Sequence, residues 1–440
     1  MNDATREGGG NDAASHVVTA FLRNRGELLL LRRSDAVGTY TGAWGGVSGF
    51  AEGDPDGQVR VEIEEETGLE GASSLVRSAR PIRVHDTDRD REWVVHPFLF
   101  DCTERGVTLS EEHDAFEWVP ATAILEADRE TVPKLWEAYE RVAPTVRSIA
   151  ADDDHGAAHL SIRALEVLRD RAGVVVRERD TDGEDPAEEW DELGQLARRL
   201  LEARPSMAVL RNRVNRAMAG AGERDAAAVL ASTLAGIERA LAADERAAAN
   251  ATEHVDGTVL TLSRSGTVLE ALRTGEPSRV AVAESRPLRE SVAVAEELAG
   301  RVPVTLHTDA ATAHVLSKGE IDRVLVGADT VLPDGRVVNK TGTRGVAIAA
   351  AREGVPVYAV AATDKVSTRE SVNLETGTRD AVYDGDAAID VLNPTFDVTP
   401  ADCVTGVVTE RGTLSSGEIE AVTAELRELE AWDRTDDPGE

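Results

Sequence analysis

After Asp256 the chain alternates short runs of β-branched and aliphatic residues with segments long enough for a helix. The short runs lie at 259–262, 280–283, 304–306, 324–326 and 357–360. This alternation is typical of βαβ units, whose strands pair in parallel and whose helices cover the sheet. The pattern therefore predicts an α/β domain with a Rossmann-like parallel sheet over residues 256–428.

Two regions of different character precede this sheet. Residues 150–255 contain four stretches with helical periodicity and are predicted to form a helical subdomain. Residues 14–145 combine a hairpin pattern, a glutamate-rich helix and further strands, which is an α+β pattern. Eleven of the sixteen aromatic residues lie before residue 140, so we expect a separate core there. The sequence thus predicts two domains, flanked by a disordered tail at 1–13 and an acidic tail at 429–440.

The charge of the chain limits its partners. The net charge is -33, from 81 acidic and 48 basic side chains. Such a surface repels polyanions, so we expect neither direct nucleic-acid binding nor binding to an anionic membrane. Few of the basic residues are lysine, and this composition resembles that of proteins from salt-loving cells. Most acidic runs are then expected to be solvated surface.

The sequence gives no signal for secretion or membrane insertion. No run approaches the roughly 20 apolar residues of a membrane span, and the first residues are polar and acidic. The two cysteines, Cys102 and Cys403, lie far apart, which indicates neither a disulfide framework nor a cysteine metal site. We therefore predict a cytoplasmic protein.

A glutamate-rich segment in the first domain is a candidate metal site. If residues 57–67 form a helix, Glu62 and Glu66 lie one turn apart and Glu65 lies beside them. Carboxylate oxygens suit Mg²⁺, with Mn²⁺ as an alternative, and the ion would bind substrate phosphates and polarise an attacking water. In so acidic a chain three nearby glutamates arise readily by chance, so the residues around them matter.

Those surrounding residues resemble the Nudix box. Gly46, Glu52 and Arg60 match the first half of the box, and Gly68 follows the glutamates in its second half. Residues 91–98 and 117–120 extend the resemblance. The resemblance implies a domain with the Nudix fold and an activity that hydrolyses a nucleoside diphosphate derivative. The implied roles are Mg²⁺ ligands at Glu62, Glu65 and Glu66, catalysis by Glu65 and Glu66, and a further carboxylate at Glu111 or Glu112.

The match departs from the Nudix pattern at one position. Val61 stands where the family has an arginine that helps to orient the metal-binding glutamates, and the two halves of the box are out of register by one residue. Two outcomes are open. Either Arg60 orients the glutamates from one position back, or the site binds metal and diphosphate without efficient turnover.

Polar residues follow the predicted parallel strands of the second domain. They are Ser263 and Arg264, Glu284 and Arg286, Asp309, Asp329 and Asp364. Ligands of open α/β sheets bind at the carboxyl ends of the strands, so these residues are expected to converge. Asp329 follows the apolar run 324–328, where burial would raise its pKa toward acid-base use.

The sequence around Asp329 resembles a known family. Gly327-Ala328-Asp329, Asp334-Gly335 and 339–343 are similar to the signature shared by the alpha, beta and delta subunits of translation initiation factor 2B and the isomerases of methylthioribose-1-phosphate and ribose-1,5-bisphosphate. The match runs from about 155 to 412. The resemblance implies a homodimer or larger oligomer and makes a translation initiation factor a candidate partner.

One motif separates this chain from the isomerases. They carry a cysteine in a Thr-x-Cys motif, and this chain has Thr261-Leu262-Ser263. An unassisted serine hydroxyl transfers protons poorly at neutral pH, so we predict that thiol-dependent isomerisation is absent. The pocket is still expected to bind a small phosphorylated ligand or a nucleotide. The candidate catalytic residue is Asp329, and the candidate binding residues are Arg204, Ser263, Arg264, Glu284, Arg286, Asp309, Asn339 and Lys340.

Three functions remain open at this point. The chain could be an initiation factor 2B-related binding or regulatory protein, including a non-catalytic translation regulatory subunit. It could be a magnesium-dependent Nudix hydrolase whose larger domain senses a ligand. The third alternative is a ribose-1,5-bisphosphate-type aldose-ketose isomerase with an altered catalytic group.

Overall fold

The computed structural model describes residues 14–433, except 52, 88–90 and 183–184. The predicted tail 1–13, the box residue Glu52 and residues 434–440 of the acidic tail lie outside the described residues. The chain divides into two compact units, Met1–Thr145 with Arg169–Glu184, and Val146–Leu168 with Asp185–Glu440. The two-domain layout expected from the sequence is therefore present.

The first unit is built on a mixed sheet. Its strands are β1 Ser15–Asn24, β2 Glu27–Arg33, β3 Trp44–Gly45, β4 Val47–Phe50, β5 Ser73–Ser78, β6 Ile82–Asp86, β7 Arg91–Cys102 and β8 His113–Pro120. Its helices include α1 Pro55–Thr67 and α2 Leu135–Val142. The strand order is β3-β2-β1-β7-β5, with β4 paired to β1, β6 to β7 and β8 to β2. β1 and β7 pair in parallel, and the other pairs are antiparallel.

Alternation along β1 divides the core of the first unit between the two faces of its sheet. Val18 and Ala20 pack with residues of α1 in one buried cluster, whereas Phe21 packs with residues of α2 in another. The predicted hairpin of β1 and β2 turns at Arg25 and Gly26, whose φ angles are 55° and 81°. A two-residue hairpin turn of this kind requires positive φ at both positions, which glycine adopts without strain.

The second unit begins with helices and continues as alternating strands and helices. The helices are α3 Val146–Ala150, α4 Ala157–Asp182, α5 Pro186–Ala203, α6 Ala208–Gly220, α7 Ala226–Ala251, α8 Gly266–Thr274, α9 Ser291–Leu298, α10 Thr312–Ser317, α11 Thr343–Glu353 and α12 Ser416–Glu428. The strands are β9 Thr258–Leu262, β10 Arg279–Ala283, β11 Val304–His307, β12 Arg323–Gly327, β13 Thr330–Val331, β14 Val337–Lys340, β15 Val357–Val360, β16 Phe396–Thr399, β17 Gly406–Thr409 and β18 Gly412–Leu414.

Helix α4 belongs to both units. Its residues from Arg169 onward are part of the first unit, where Arg169 Nη1 donates to the carbonyl oxygen of Gly26 at 2.6 Å and Tyr139 Oη donates to Asp170 at 2.8 Å. The sequence prediction placed all of 150–255 in one helical subdomain. In the structure the residues of α4 from Arg169 onward lie with the first unit instead, because buried polar contacts connect them to its core.

The order of the larger sheet in the second unit is β11-β10-β9-β12-β15-β17-β18. Its pairs are parallel except that of β17 with β18. Strand order reverses between β9 and β12, and such a switch point opens a crevice at the carboxyl ends of the strands. A small antiparallel sheet, β13-β14-β16, lies in the same unit.

The apolar, alanine-rich stretch 226–251 forms helix α7. Among the described residues, Ala226–His254 is long and apolar enough to cross a membrane by length and composition, which the sequence prediction did not anticipate. The helix packs against α6, α8 and β17, and Val229, Ile237 and Ala247 are buried. A core helix passes the same test of length and composition, so packing within this unit accounts for the composition.

Candidate functional site

Helix α1 holds two carboxylates of the first unit against strand β4. The helix starts at Asp54, whose side chain accepts from Gly57 N at 3.2 Å, and ends at Gly68, with φ 69°. Left-handed φ at this end explains the glycine of the box. Val59 is buried in the core beneath α1, Glu66 is buried and Glu65 is exposed. Of the three predicted ligands, Glu65 therefore faces solvent.

Glycines of the box make room for this arrangement. A Cβ atom at Gly49 would clash with the carboxylate of Glu62. A Cβ atom at Gly46 would lie 2.7 Å from the carbonyl oxygen of Ala20 on β1. The glycine framework thus lets α1 and β1 approach β4 closely.

The environment of Glu66 fits a bound cation. Its Oε2 accepts from the amide of Ser48 at 3.1 Å, and its Oε1 is buried without a hydrogen-bond partner among the described residues. Burial raises the pKa of Glu66 to about 9, and the charges of Glu62 and Glu112 contribute. Burial likewise raises the pKa of Glu62, whose Oε1 accepts from Gln58 at 2.7 Å. A divalent cation would neutralise these crowded carboxylates and occupy the unpartnered oxygen.

The cation beside these carboxylates is Arg33. Its charge lowers the pKa of Glu66, opposing the effect of burial, and its Nη1 lies 3.5 Å from Ser48 Oγ. Arg60, by contrast, pairs with Glu70 at 3.2 Å. Two residues along a helix correspond to about 200°, so Arg60 points away from Glu62. Arg60 therefore does not take over the orienting role that the sequence left open for it.

Of the two carboxylates predicted from the loop before β8, Glu112 lies close enough to affect Glu62 and Glu66. Its charge raises the pKa of both Glu62 and Glu66, which places it near them. Glu111 contacts β2 through its carbonyl oxygen, which accepts from Ser34 Oγ just after that strand at 2.7 Å. The sequence did not single out Arg33, which lies on β2 outside the box, or the Ser48 amide, which lies within the box but is a backbone group that no side-chain pattern marks.

A cavity of about 1310 Å³ lies within the second unit. Residues after β9, β10 and β12 line it, as expected at the switch point. The predicted cationic residues that line it are Arg204, Arg264, Arg286 and Lys340. The other predicted residues in the lining are Ser263, Asn339 and Asp329.

The loop after β9 combines an unusual backbone with a helix start. Ser263 has φ 69°, a left-handed conformation that is strained for a serine. Its amide donates to Ser291 Oγ at 2.7 Å, and its Oγ donates to Glu290 Oε2 at 3.0 Å. Helix α8 follows, with Ser265 as its N-cap. Gly266 lies in the cavity lining, so amides at the helix start are available to an anion.

Glu290 is a cavity residue that the sequence analysis missed. Its Oε1 pairs with Lys340 Nζ at 3.0 Å, while its Oε2 accepts from Ser263. Lys340 also lies over the ring of Phe396. Glu290 precedes α9 in an acidic chain and matches no motif quoted above, so nothing in the sequence distinguishes it from a surface glutamate.

Asp329 follows β12 and lines the cavity beside this cluster. Its amide donates to the carbonyl oxygen of Val338 at 3.0 Å. Burial raises the pKa of Asp329, the charges of Lys365 and Lys340 oppose that rise, and the charge of Glu290 adds to it. This agrees with the direction expected from the sequence.

Two predicted binding residues have a supporting position instead. Glu284 accepts from Arg286 Nε at 3.0 Å and from Arg289 Nε at 3.1 Å. Asp309 accepts from the amides of Ser285 and Arg286 at 2.9 and 2.6 Å. Neither lies in the lining as the described residues define it. The two carboxylates accept hydrogen bonds from arginine side chains and backbone amides of the loop after β10. They therefore stabilise this loop.

Three other polar residues have partners within the protein. Arg204 donates through Nε to the carbonyl oxygen of Ile149 at 3.0 Å and through Nη2 to that of Asp152. Asn339 donates to Thr343 Oγ1 at 2.9 Å. Asp364 pairs with Arg216 at 2.8 Å in the interior and does not line the cavity as described. Among the predicted cations in the lining, Arg264 and Arg286 are exposed, although Arg286 also pairs with Glu284.

Comparison with known proteins separates the same two regions. Residues 153–416 match the Initiation factor 2 subunit family, and residues 14–142 match the NUDIX domain. The chain is 33% identical over 309 residues to the ribose 1,5-bisphosphate isomerase of Haloferax volcanii, which covers 65% of this chain and 94% of that protein. It is 35% identical over 175 residues to the methylthioribose-1-phosphate isomerase of Heliobacterium modesticaldum, covering 36% of this chain and 50% of that protein.

Solved structures show the same fold. The Pyrococcus horikoshii translation initiation factor eIF-2B matches with a TM-score of 0.51 and 25% identity, over 61% of this chain and 94% of that one. The 5-methylthioribose 1-phosphate isomerase of the same organism matches with a TM-score of 0.52 and 23% identity, over 64% of this chain and 86% of that one.

Proposed function

The chain belongs to the Initiation factor 2 subunit family, and from this premise we propose that its second unit binds a phosphorylated sugar in the cavity at the β9–β12 switch point. The observation that carries the proposal is the convergence of Arg264, Arg286 and the start of α8 around Asp329. Guanidinium groups and helix-start amides suit phosphate, and the sugar hydroxyls would face the carboxylates. The similarity to ribose 1,5-bisphosphate isomerases supports that compound as the probe.

The altered motif favours binding over thiol chemistry. Ser263 lines the cavity at the position where the isomerases carry cysteine, while Cys403 is half-buried and does not line the cavity as described. A serine hydroxyl does not ionise near neutral pH as a thiol can, so a thiol-dependent isomerisation has no reactive group here. The proposed role is that of a metabolite-binding protein that retains the pocket of the family.

Calorimetric titration with ribose 1,5-bisphosphate at high salt tests this function. We expect the full chain to bind and Arg264→Ala to lose about tenfold in affinity, since a charged hydrogen bond contributes about 1.5 kcal/mol. Arg336→Ala is the matched control, because Arg336 pairs with Asp334 and does not line the cavity as described. Absence of binding by the unchanged chain would contradict the proposal.

A second function is supported by the unpartnered oxygen of Glu66. We propose that the first unit is a Mg²⁺-dependent or Mn²⁺-dependent hydrolase of a nucleoside diphosphate derivative. Glu62, Glu65 and Glu66 would hold the ion, which supplies a polarised water and binds the substrate phosphates. Ser48 orients Glu66 through its amide, and Arg33 offsets part of the negative charge.

Phosphate release from a panel of nucleoside diphosphate derivatives tests the hydrolase. We expect metal-dependent turnover that Glu66→Gln abolishes. Glu64→Gln is the matched control, since it removes the same charge from an exposed position on the same helix. Equal turnover of the two variants would contradict the assignment of the site.

A further inference from the structure

Three side chains are connected by polar contacts beside the end of β9. Ser263 Oγ donates to Glu290 Oε2 at 3.0 Å, and Glu290 Oε1 pairs with Lys340 Nζ at 3.0 Å. The side chains of Glu290 and Lys340 are 26% and 19% exposed, so both are open to the cavity while largely shielded from bulk water. The two contacts fix both oxygens of the carboxylate.

We propose that Glu290 is a proton-transfer residue of this cavity, acting with Asp329 on C1 and C2 of a bound sugar 1-phosphate. The inference rests on the proposed binding function and adds a reaction to it. It assigns to Ser263 and Lys340 the task of positioning Glu290, and it makes the carboxylate, not the hydroxyl, the substitute for a thiol.

The carboxylate is the better base of the two neighbouring groups. A serine hydroxyl has to be deprotonated before it accepts a proton from carbon, whereas a carboxylate accepts one directly. Glutamate serves as the base in other sugar-phosphate isomerisations, in which a proton moves between adjacent carbons. Each carboxylate oxygen of Glu290 has one contact, Oε1 with Lys340 and Oε2 with Ser263. Each oxygen therefore keeps a lone pair that can accept a proton.

The setting of Asp329 suits the complementary acid role. Burial raises its pKa, and Glu290 is close enough that its charge raises it further, although Lys365 and Lys340 oppose the rise. A protonated Asp329 would donate to a ring or carbonyl oxygen of the bound sugar. Glu290 as the base and Asp329 as the acid would then supply both proton transfers from one cavity.

The reaction balances without an external oxidant or reductant. Asp329 gives its proton to the ring oxygen as the bond from C1 to that oxygen breaks, and Glu290 removes the proton from C2, which leaves an enol phosphate. Glu290 then returns a proton to C1, and Asp329 takes the proton of the 2-hydroxyl as the carbonyl forms at C2. Both carboxyl groups end in their starting states, and an aldose 1-phosphate has become a ketose 1-phosphate.

Deuterium exchange tests the proton transfer directly. The full chain is incubated with ribose 1,5-bisphosphate in deuterated buffer at high salt, and NMR follows deuterium at C1 of the product and C2 of the recovered sugar. We expect incorporation by the unchanged protein and a loss of about 100-fold in Glu290→Gln, with affinity measured by calorimetry on the same samples retained within about threefold. Glu296→Gln, an exposed position on the same helix, should behave like the unchanged protein.

A second variant separates the carboxylate from the hydroxyl. Ser263→Ala should retain exchange within about tenfold, because a positioning hydrogen bond contributes about 1 kcal/mol. Binding without exchange by the unchanged chain would overturn this inference and leave the proposed binding function standing. Exchange by Glu290→Gln at the unchanged rate, or its complete loss in Ser263→Ala, would also overturn it. Absence of binding in the calorimetric titration of the unchanged chain would overturn both the proposed binding function and this inference.

Discussion

In the first unit Glu62 and Glu66 crowd together with Arg33 as their neighbouring cation. In the second unit Asp329 and Glu290 lie beside two lysines that offset their charge. In the first arrangement one oxygen of a buried carboxylate has no partner among the described residues, as the proposed metal site requires. The second supplies its own cations. The comparison teaches that two acidic sites in one chain can differ in whether neighbouring cations of the protein offset their charge.

The largest expected effect is the loss of hydrolysis when the first site is broken. Glu66→Gln removes a buried ligand, and metal-ion stabilisation of several kcal/mol corresponds to a loss of about 100-fold or more. Phosphate release at saturating Mg²⁺ measures it. Ribose 1,5-bisphosphate binding by the same variant should be unchanged, and a parallel loss of both would break the separation between the sites.

The second expected effect concerns the lysine of the cavity. Lys340→Ala removes the partner of Glu290 and one of the charges beside Asp329. We expect ribose 1,5-bisphosphate affinity to fall between about tenfold and about 100-fold, since charged hydrogen bonds contribute about 1.5 to 3 kcal/mol. Calorimetry measures the change. Lys318→Ala serves as the control because that lysine does not line the cavity as described, and an equal loss in both variants would contradict the account.

A third effect is a pH dependence of stability. The pKa of Glu66 rises from its ordinary value of 4.5 to about 9, so the folded state holds a proton that the unfolded state releases first. Stability from this group is full below about pH 4.5 and is lost as the pH rises toward 9. The melting temperature of metal-free protein should therefore fall over this range by a few °C more than that of Glu66→Gln. Parallel curves for the two proteins would show that Glu66 is not protonated in the folded state.

The smallest effect separates the two arginines near α1. Arg60→Ala should leave hydrolysis within about twofold and cost at most about 1 kcal/mol of stability, because its pair with Glu70 is exposed. Arg33→Ala should reduce hydrolysis more strongly, since Arg33 is the cation beside Glu66. Turnover and melting temperature of both variants measure this. The reverse order would restore Arg60 to the orienting role.

Local patterns predicted most of the elements and the composition of both sites. The run that ends at Asp329, the C-cap at Gly68 and the strand-helix alternation after Asp256 are readable from neighbouring residues. Contacts between distant segments were not readable. Ser263 reaches Glu290 across 27 positions, and Ser48 reaches Glu66 across 18. Such pairs depend on how strands and helices pack, which periodicity does not encode.

The same limit explains where the structure adds partners that the sequence did not indicate. Glu284 and Asp309 stand at strand ends, as ligand-binding residues do, yet their carboxylates are satisfied by neighbouring arginines and amides. The division of α4 depends on Arg169, whose partner is a carbonyl oxygen 143 positions away. A charged residue inside a helical stretch gives no indication of such a partner.

The central claim is that the cavity of the second unit binds a phosphorylated sugar with its own cations. Titration of the full chain with ribose 1,5-bisphosphate, first in excess chelator and then in excess Mg²⁺, tests it most directly. The account predicts binding of equal affinity in both conditions, at the same high salt. Binding only with Mg²⁺, or in neither condition, would contradict it.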